Sequence, residues 1–175
     1  MADENAGEVQ RSSSAIQVEP IPDEATVTRL IDCPRMYEDA SGLIWTTTFE
    51  FPQSAGESVN WDKYAPPPDA VHKLGLDREE AKRASRPEFR YAGYIPALAR
   101  DVRGIKTARG HGFDIQHVPT EGIYHAEIHY ASPEAVPLQK GDKGELKLAL
   151  QRVFGELIRC PDEGVPGAGP TQNGT

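Results

Sequence analysis

A mostly antiparallel α+β fold, with helices packed on one face of the sheet, is predicted by three features of this 175-residue sequence. Short segments rich in β-branched and aromatic residues recur along the chain, and the last regular segment carries a single apolar helical stripe. The order of elements also lacks the regular strand–helix alternation of a doubly wound sheet. One domain is expected at 25–160, between an acidic disordered tail at 1–24 and a Gly/Pro-rich disordered tail at 161–175.

The segments 25–31 and 43–51 read as two strands, paired antiparallel across a polar connection that contains Gly42. A turn-rich stretch follows through Pro52, Gly56 and Pro66–Pro68, and Asp69 and Asp77 then stand where they can cap short helices at 70–74 and 78–84. Phe89 to Ala92 alternates as a strand. Pro96 suits a first helical turn, and Ile95, Leu98, Ala99, Val102 and Ile105 recur as one helical stripe.

A hairpin is predicted from Phe113–Val118 and Ile123–Tyr130, joined by the turn residues Pro119–Gly122. A four-residue turn there pairs Gln116 with His125 and Asp114 with Glu127. The last helix is predicted to begin at Asp142, with Glu145 three residues on, and to end before Pro161. Its buried face is Leu146, Leu150, Val153, Phe154 and Leu157.

Composition narrows the function. The formal net charge of −8 disfavours generic attraction of the whole molecule to nucleic acid or anionic lipid. The longest apolar runs fall far short of a membrane-spanning helix, so no membrane partner is expected. The amino terminus has no basic start and no apolar stretch, and Cys33 and Cys160 have no Cys-x-x-Cys spacing. A cytoplasmic protein with two reduced thiols is the reading these features support. Phosphate-binding glycine loops and Gly-x-Ser-x-Gly nucleophile signatures are missing from the sequence.

The charge is uneven. Residues 73–109 carry ten Lys/Arg against five Asp/Glu. A basic segment over 82–109, with Arg100, Arg103, Lys106 and Arg109 in its second half, after Lys82, Arg83, Arg86 and Arg90, and Tyr91 and Tyr94 interleaved, is therefore a candidate nucleic-acid contact. A protein partner, met through this segment, the last helix or the tails, fits the same charge asymmetry.

The sharpest functional signal is histidine clustering. His111, His117, His125 and His129 fall within 19 residues. Strand alternation puts His125, Glu127 and His129 on one face, with Asp114 and Gln116 of the preceding strand beside them. His117 belongs to the opposite, apolar face with Phe113 and Ile115. Asp114, His125, Glu127 and His129 are therefore the candidate ligand-binding residues, and His111, His125 and Glu127 the candidate catalytic ones, by proton transfer beside a cation.

Residues i and i+4 on a strand lie about 13 Å apart, so His125 and His129 are not expected to share a metal ion. A metal site needs Glu127 with one histidine and a further ligand, from Asp114 or another segment, and the sequence identifies neither a metal nor a cofactor. The reading that emerges is a small cytosolic binding or regulatory module without a complete catalytic signature. The alternative is a nuclease-like or metal-dependent hydrolase built on the histidine-rich hairpin.

Overall fold

The computed structural model of the protein describes residues 17–52 and 56–161. Most of the two predicted tails, 1–16 and 162–175, lies outside the described residues. Residues 17–24, assigned to the first tail on composition, pack onto the domain. Ile21 is buried in the main core, and its carbonyl and the Asp23 carboxylate both accept from Arg103.

The sheet is built around β1 (Thr26–Cys33), whose Val27 and Ile31 point to one side and Leu30 to the other. Its partners are β4 (Glu57–Trp61) and β5 (Arg90–Leu98), both antiparallel. Outside β4 lie β7 (His125–Ala131) and the edge strand β6 (Gly112–His117), and outside β5 lies the short β8 (Ile158–Arg159). Two short strands, β2 (Tyr37–Glu38) and β3 (Leu43–Ile44), form a separate ribbon.

The helices are α1 (Asp69–Lys82), α2 (Ala99–Gly104) and α3 (Lys140–Val153). Leu146 and Leu150 of α3 and Ala99 and Val102 of α2 join Val27, Ile31, Val59, Ile115 and Ile128 in the main core. The single helix-bearing face expected from the sequence is occupied by α2 and α3. α1 adds a smaller layer on the other side, where Val71 meets Leu30, Tyr91 and Tyr94.

Several elements differ from the sequence expectation, each for a local reason. The predicted strand 43–51 does not pair with β1. Only Leu43–Ile44 pairs as a strand, a 3-10 turn over Thr46–Thr48 follows, and Phe49 enters the core, its ring tilted at 44° against Phe154 with centroids 5.0 Å apart. The true neighbour, β4, comes from the stretch read as turn. The helices 70–74 and 78–84 are one, because Asp77 caps no second helix but lies inside α1, paired with Lys73 one turn earlier, and Gly75 packs so closely on the sheet that a Cβ there would stand 2.3 Å from the Tyr91 ring. Asp69 does not cap it.

Pro96 lies in β5, not in a helix, so Ile95 is a strand residue. The Pro96 carbonyl accepts from Gly155 N–H at 2.7 Å, which places the Pro96 backbone groups on the side away from β1, beyond the end of β8. The missing N–H therefore interrupts no ladder bond. α3 begins two residues before Asp142, which acts as the third helical residue of a capping box with Gln139. Of the predicted stripe, Leu146, Leu150 and Phe154 are buried and Val153 and Leu157 pack partly against the core.

Candidate functional site

The hairpin forms with the predicted facing but a different register. Asp114 pairs with His129, Gln116 with Glu127 and His117 with Ala126, two residues away from the four-residue-turn pairing. The connection is longer than that turn. Pro119–Glu121 forms a 3-10 turn, Gly122 takes φ 144°, and Ile123 and Tyr124 leave the ladder before Val118 N–H meets His125 O. Gly122 is required at that φ, where a side chain is strained.

This connection brings Glu121 back over β7. Glu121 Oε2 lies 3.5 Å from His125 Nε2, and Glu127 Oε1 lies at the same distance. The His125 side chain is only 6% exposed, and its Nε2 makes no hydrogen bond. Its Nδ1 faces Ser58 Oγ at 3.3 Å, across the ladder from β4.

Glu127 is fixed from below. Its Oε2 accepts from Gly56 N–H at 3.0 Å and lies 2.9 Å from His129 Nε2. Burial pushes the Glu127 carboxyl up, but the Gly56 N–H, the His125 imidazole and the nearby His129 together hold it below the ordinary carboxylate range. Gly56 has no room for a side chain, since a Cβ would stand 2.7 Å from Glu127 Cβ.

Above this group opens a cleft of about 500 Å³ between the sheet and α1. Leu30, Ser58, Asn60 and His125 line it from the strands, Leu74, Asp77 and Arg78 from α1, and Glu121 and Tyr124 from the turn. The cations at its edges are matched: Arg78 pairs with Asp32 at 3.0 Å, and the buried Arg29 with the buried Glu57. Glu121, Glu127 and His125 form the group able to hold a metal ion among the described residues, with one ligand atom from each lying within 4.8 Å of the others.

No protein-family model, curated protein or solved structure matches this chain. The site must be read from its own chemistry.

The structure brings His125, Glu127 and His129 together, while Asp114, opposite His129 in the ladder, turns its carboxylate toward Arg103 at 3.6 Å. His111 is on the core side of the sheet. Its Nδ1 meets Ser132 Oγ at 2.9 Å, and its Nε2 stands 3.6 Å from the Asp142 carboxylate that caps α3. It ties the start of β6 to α3 and does not reach the His125 cleft.

His117 has one hydrogen bond on each ring nitrogen, with Ile123 O at 2.8 Å and Glu19 N–H at 3.2 Å, which fixes the docked segment before β1. Of the basic residues, Arg103 is committed to Asp23 and Asp114 and Arg109 to Asp142, while Arg100 and Lys106 are exposed.

Sequence reasoning missed Glu121, Ser58, Asn60 and the α1 wall. Glu121 sits four residues before His125, a spacing that carries no signal unless the intervening chain turns back.

Proposed function

We propose that the protein is a small cytosolic ligand-binding module whose site is the cleft over His125. One observation carries the reading: His125 lines the cleft with its Nε2 facing two carboxylates and hydrogen-bonded to neither, whereas His111 Nε2, also unmatched, faces Asp142 on the other side of the sheet and does not line it. A buried polar atom left unmatched costs about 1–3 kcal/mol, and where it opens onto a cleft a ligand can recover that cost. The cleft volume of about 500 Å³ lies within the range of small-molecule sites. Its unmatched charge is carboxylate, which favours a cationic or hydrogen-bond-donating ligand.

Thermal unfolding in the presence of probes of different chemistry tests this: zinc chloride, methylguanidinium, acetate and inorganic phosphate. A ligand at one hundred times its Kd stabilises by about 2.7 kcal/mol. At least one probe should raise the Tm of the wild type and leave that of His125→Ala unmoved. Absence of any His125-dependent shift would defeat the proposal.

The second reading is hydrolysis. It is favoured by the placement of His125 between the Ser58 hydroxyl and the Glu127 carboxylate, the pattern of a base held by an acid. Cleavage of bis(p-nitrophenyl) phosphate or p-nitrophenyl acetate that vanishes in His125→Ala would establish it.

A further inference from the structure

We infer that the cleft takes a divalent transition-metal ion of the zinc class, bound by His125 Nε2, Glu127 Oε1 and the Glu121 carboxylate. The inference rests on the cleft being the ligand site and names what enters it.

The spacing of the donor atoms is the first argument. An N–H···O hydrogen bond would draw the imidazole and a carboxylate to about 2.9 Å. Both separations here are 3.5 Å. Nitrogen and oxygen ligands about 2.0–2.2 Å from a tetrahedral ion lie about 3.3–3.6 Å from each other, the edge of the tetrahedron. The gap is longer than a well-formed hydrogen bond and has the width of ligands of one ion. Glu121, with its side chain 68% exposed, has the freedom to complete the third edge.

The second argument is orientation. Nδ1 faces the Ser58 hydroxyl, which can accept from it, and in the tautomer with the proton on Nδ1 the Nε2 lone pair points toward the carboxylates. Glu127 has Oε2 engaged by Gly56 and His129, which leaves Oε1 for the ion. Outer partners of this kind fix ring and carboxylate orientation in metal sites.

The third argument is charge and donor type. Arg29 and Arg78 are neutralised by Glu57 and Asp32, so they do not oppose a cation. One imidazole with two carboxylates suits zinc, manganese or ferrous iron, whereas calcium takes six to eight oxygen ligands. Three protein ligands leave a coordination position open toward Asn60, Tyr124 and Leu74, as in zinc sites that exchange a ligand.

The test is isothermal titration calorimetry of the full chain, stripped with a chelator and titrated with zinc chloride in a non-coordinating buffer. The wild type should bind one equivalent. His125→Gln and Glu127→Gln should weaken binding at least tenfold, and Glu121→Gln, an exposed change that leaves the fold intact, should weaken it several-fold. His111→Gln, on the other face of the sheet, should change nothing. Zinc binding that survives both Glu121→Gln and His125→Gln, or no zinc binding at all, overturns the metal assignment. If zinc fails while an organic probe still stabilises the wild type through His125, the cleft remains a ligand site without a metal. If no probe responds, both readings fall.

Discussion

Gly75→Ala tests the contact that sets the wall of the cleft. In a helix interior the substitution alone should stabilise by about 0.8–1 kcal/mol, because alanine has less backbone freedom to lose. Here the added Cβ would lie 2.3–2.5 Å from three ring atoms of Tyr91. Carbon atoms prefer about 3.5–4.0 Å, so the overlap exceeds about 1 Å. The ring cannot easily retreat: Tyr91 is buried, its hydroxyl meets His72 Nδ1 at 3.1 Å, and its N–H donates to Glu79 Oε2 at 2.8 Å.

Overpacking of this kind costs about 1–3 kcal/mol, and three close contacts on a held ring place it in the upper half of that range. The net expectation is destabilisation by about 1–2 kcal/mol, measured by urea unfolding followed by circular dichroism at an unchanged m-value. In a Tyr91→Leu background the same substitution should become neutral or stabilising, which isolates the contact. Stabilisation of the otherwise wild-type protein by about 1 kcal/mol would mean that α1 does not rest on Tyr91, and the cleft wall carrying Leu74, Asp77 and Arg78 would lose its basis.

Three further outcomes follow from the same structure. Glu57→Ala should cost about 3–5 kcal/mol in urea unfolding, because it leaves the Arg29 guanidinium buried without its partner; a loss under about 1 kcal/mol would contradict the buried pair. Phe154→Ala should cost about 3–5 kcal/mol through the lost packing against Phe49 and the core, and an unchanged unfolding free energy would reject that packing. Burial pushes the Tyr130 hydroxyl from its ordinary 10 up to about 12. The folded state therefore holds a proton that the unfolded chain releases, and stability falls as pH rises between those values. Tyr130→Phe should flatten that fall in alkaline unfolding curves, and an equally steep fall would show that other groups cause it.

The sequence is most informative where one periodicity operates alone. The α3 stripe needed only helical spacing, and the opposed facing of His117 and His125 needed only strand alternation. Reading failed where tertiary packing decides. Asp77 resembles a helix cap until it is seen inside α1, paired with Lys73. Pro96 resembles a helix start until its carbonyl is seen turned from β1 toward Gly155. β4 hides in a turn-rich stretch because its inward residues, Glu57, Val59 and Trp61, include a charge that becomes tolerable there only through Arg29 and the Phe51 N–H.

The candidate site divides in the same way. His125, Glu127 and His129 were visible because they alternate on one strand. Glu121 was not, since its approach depends on a turn whose length and positive-φ glycine reset the register by two residues. Asp114 dropped out because Arg103 of α2 is its partner.

The most direct measurement is a two-dimensional ¹H–¹⁵N NMR spectrum of the full chain titrated with zinc chloride. The account predicts that the perturbed amides gather at Ser58, Asn60, Glu121 and His125, and across the cleft at Leu74 and Arg78 on α1. Perturbations gathered instead at His111, Ser132 and Asp142, or spread over the surface with none at the cleft, would contradict it.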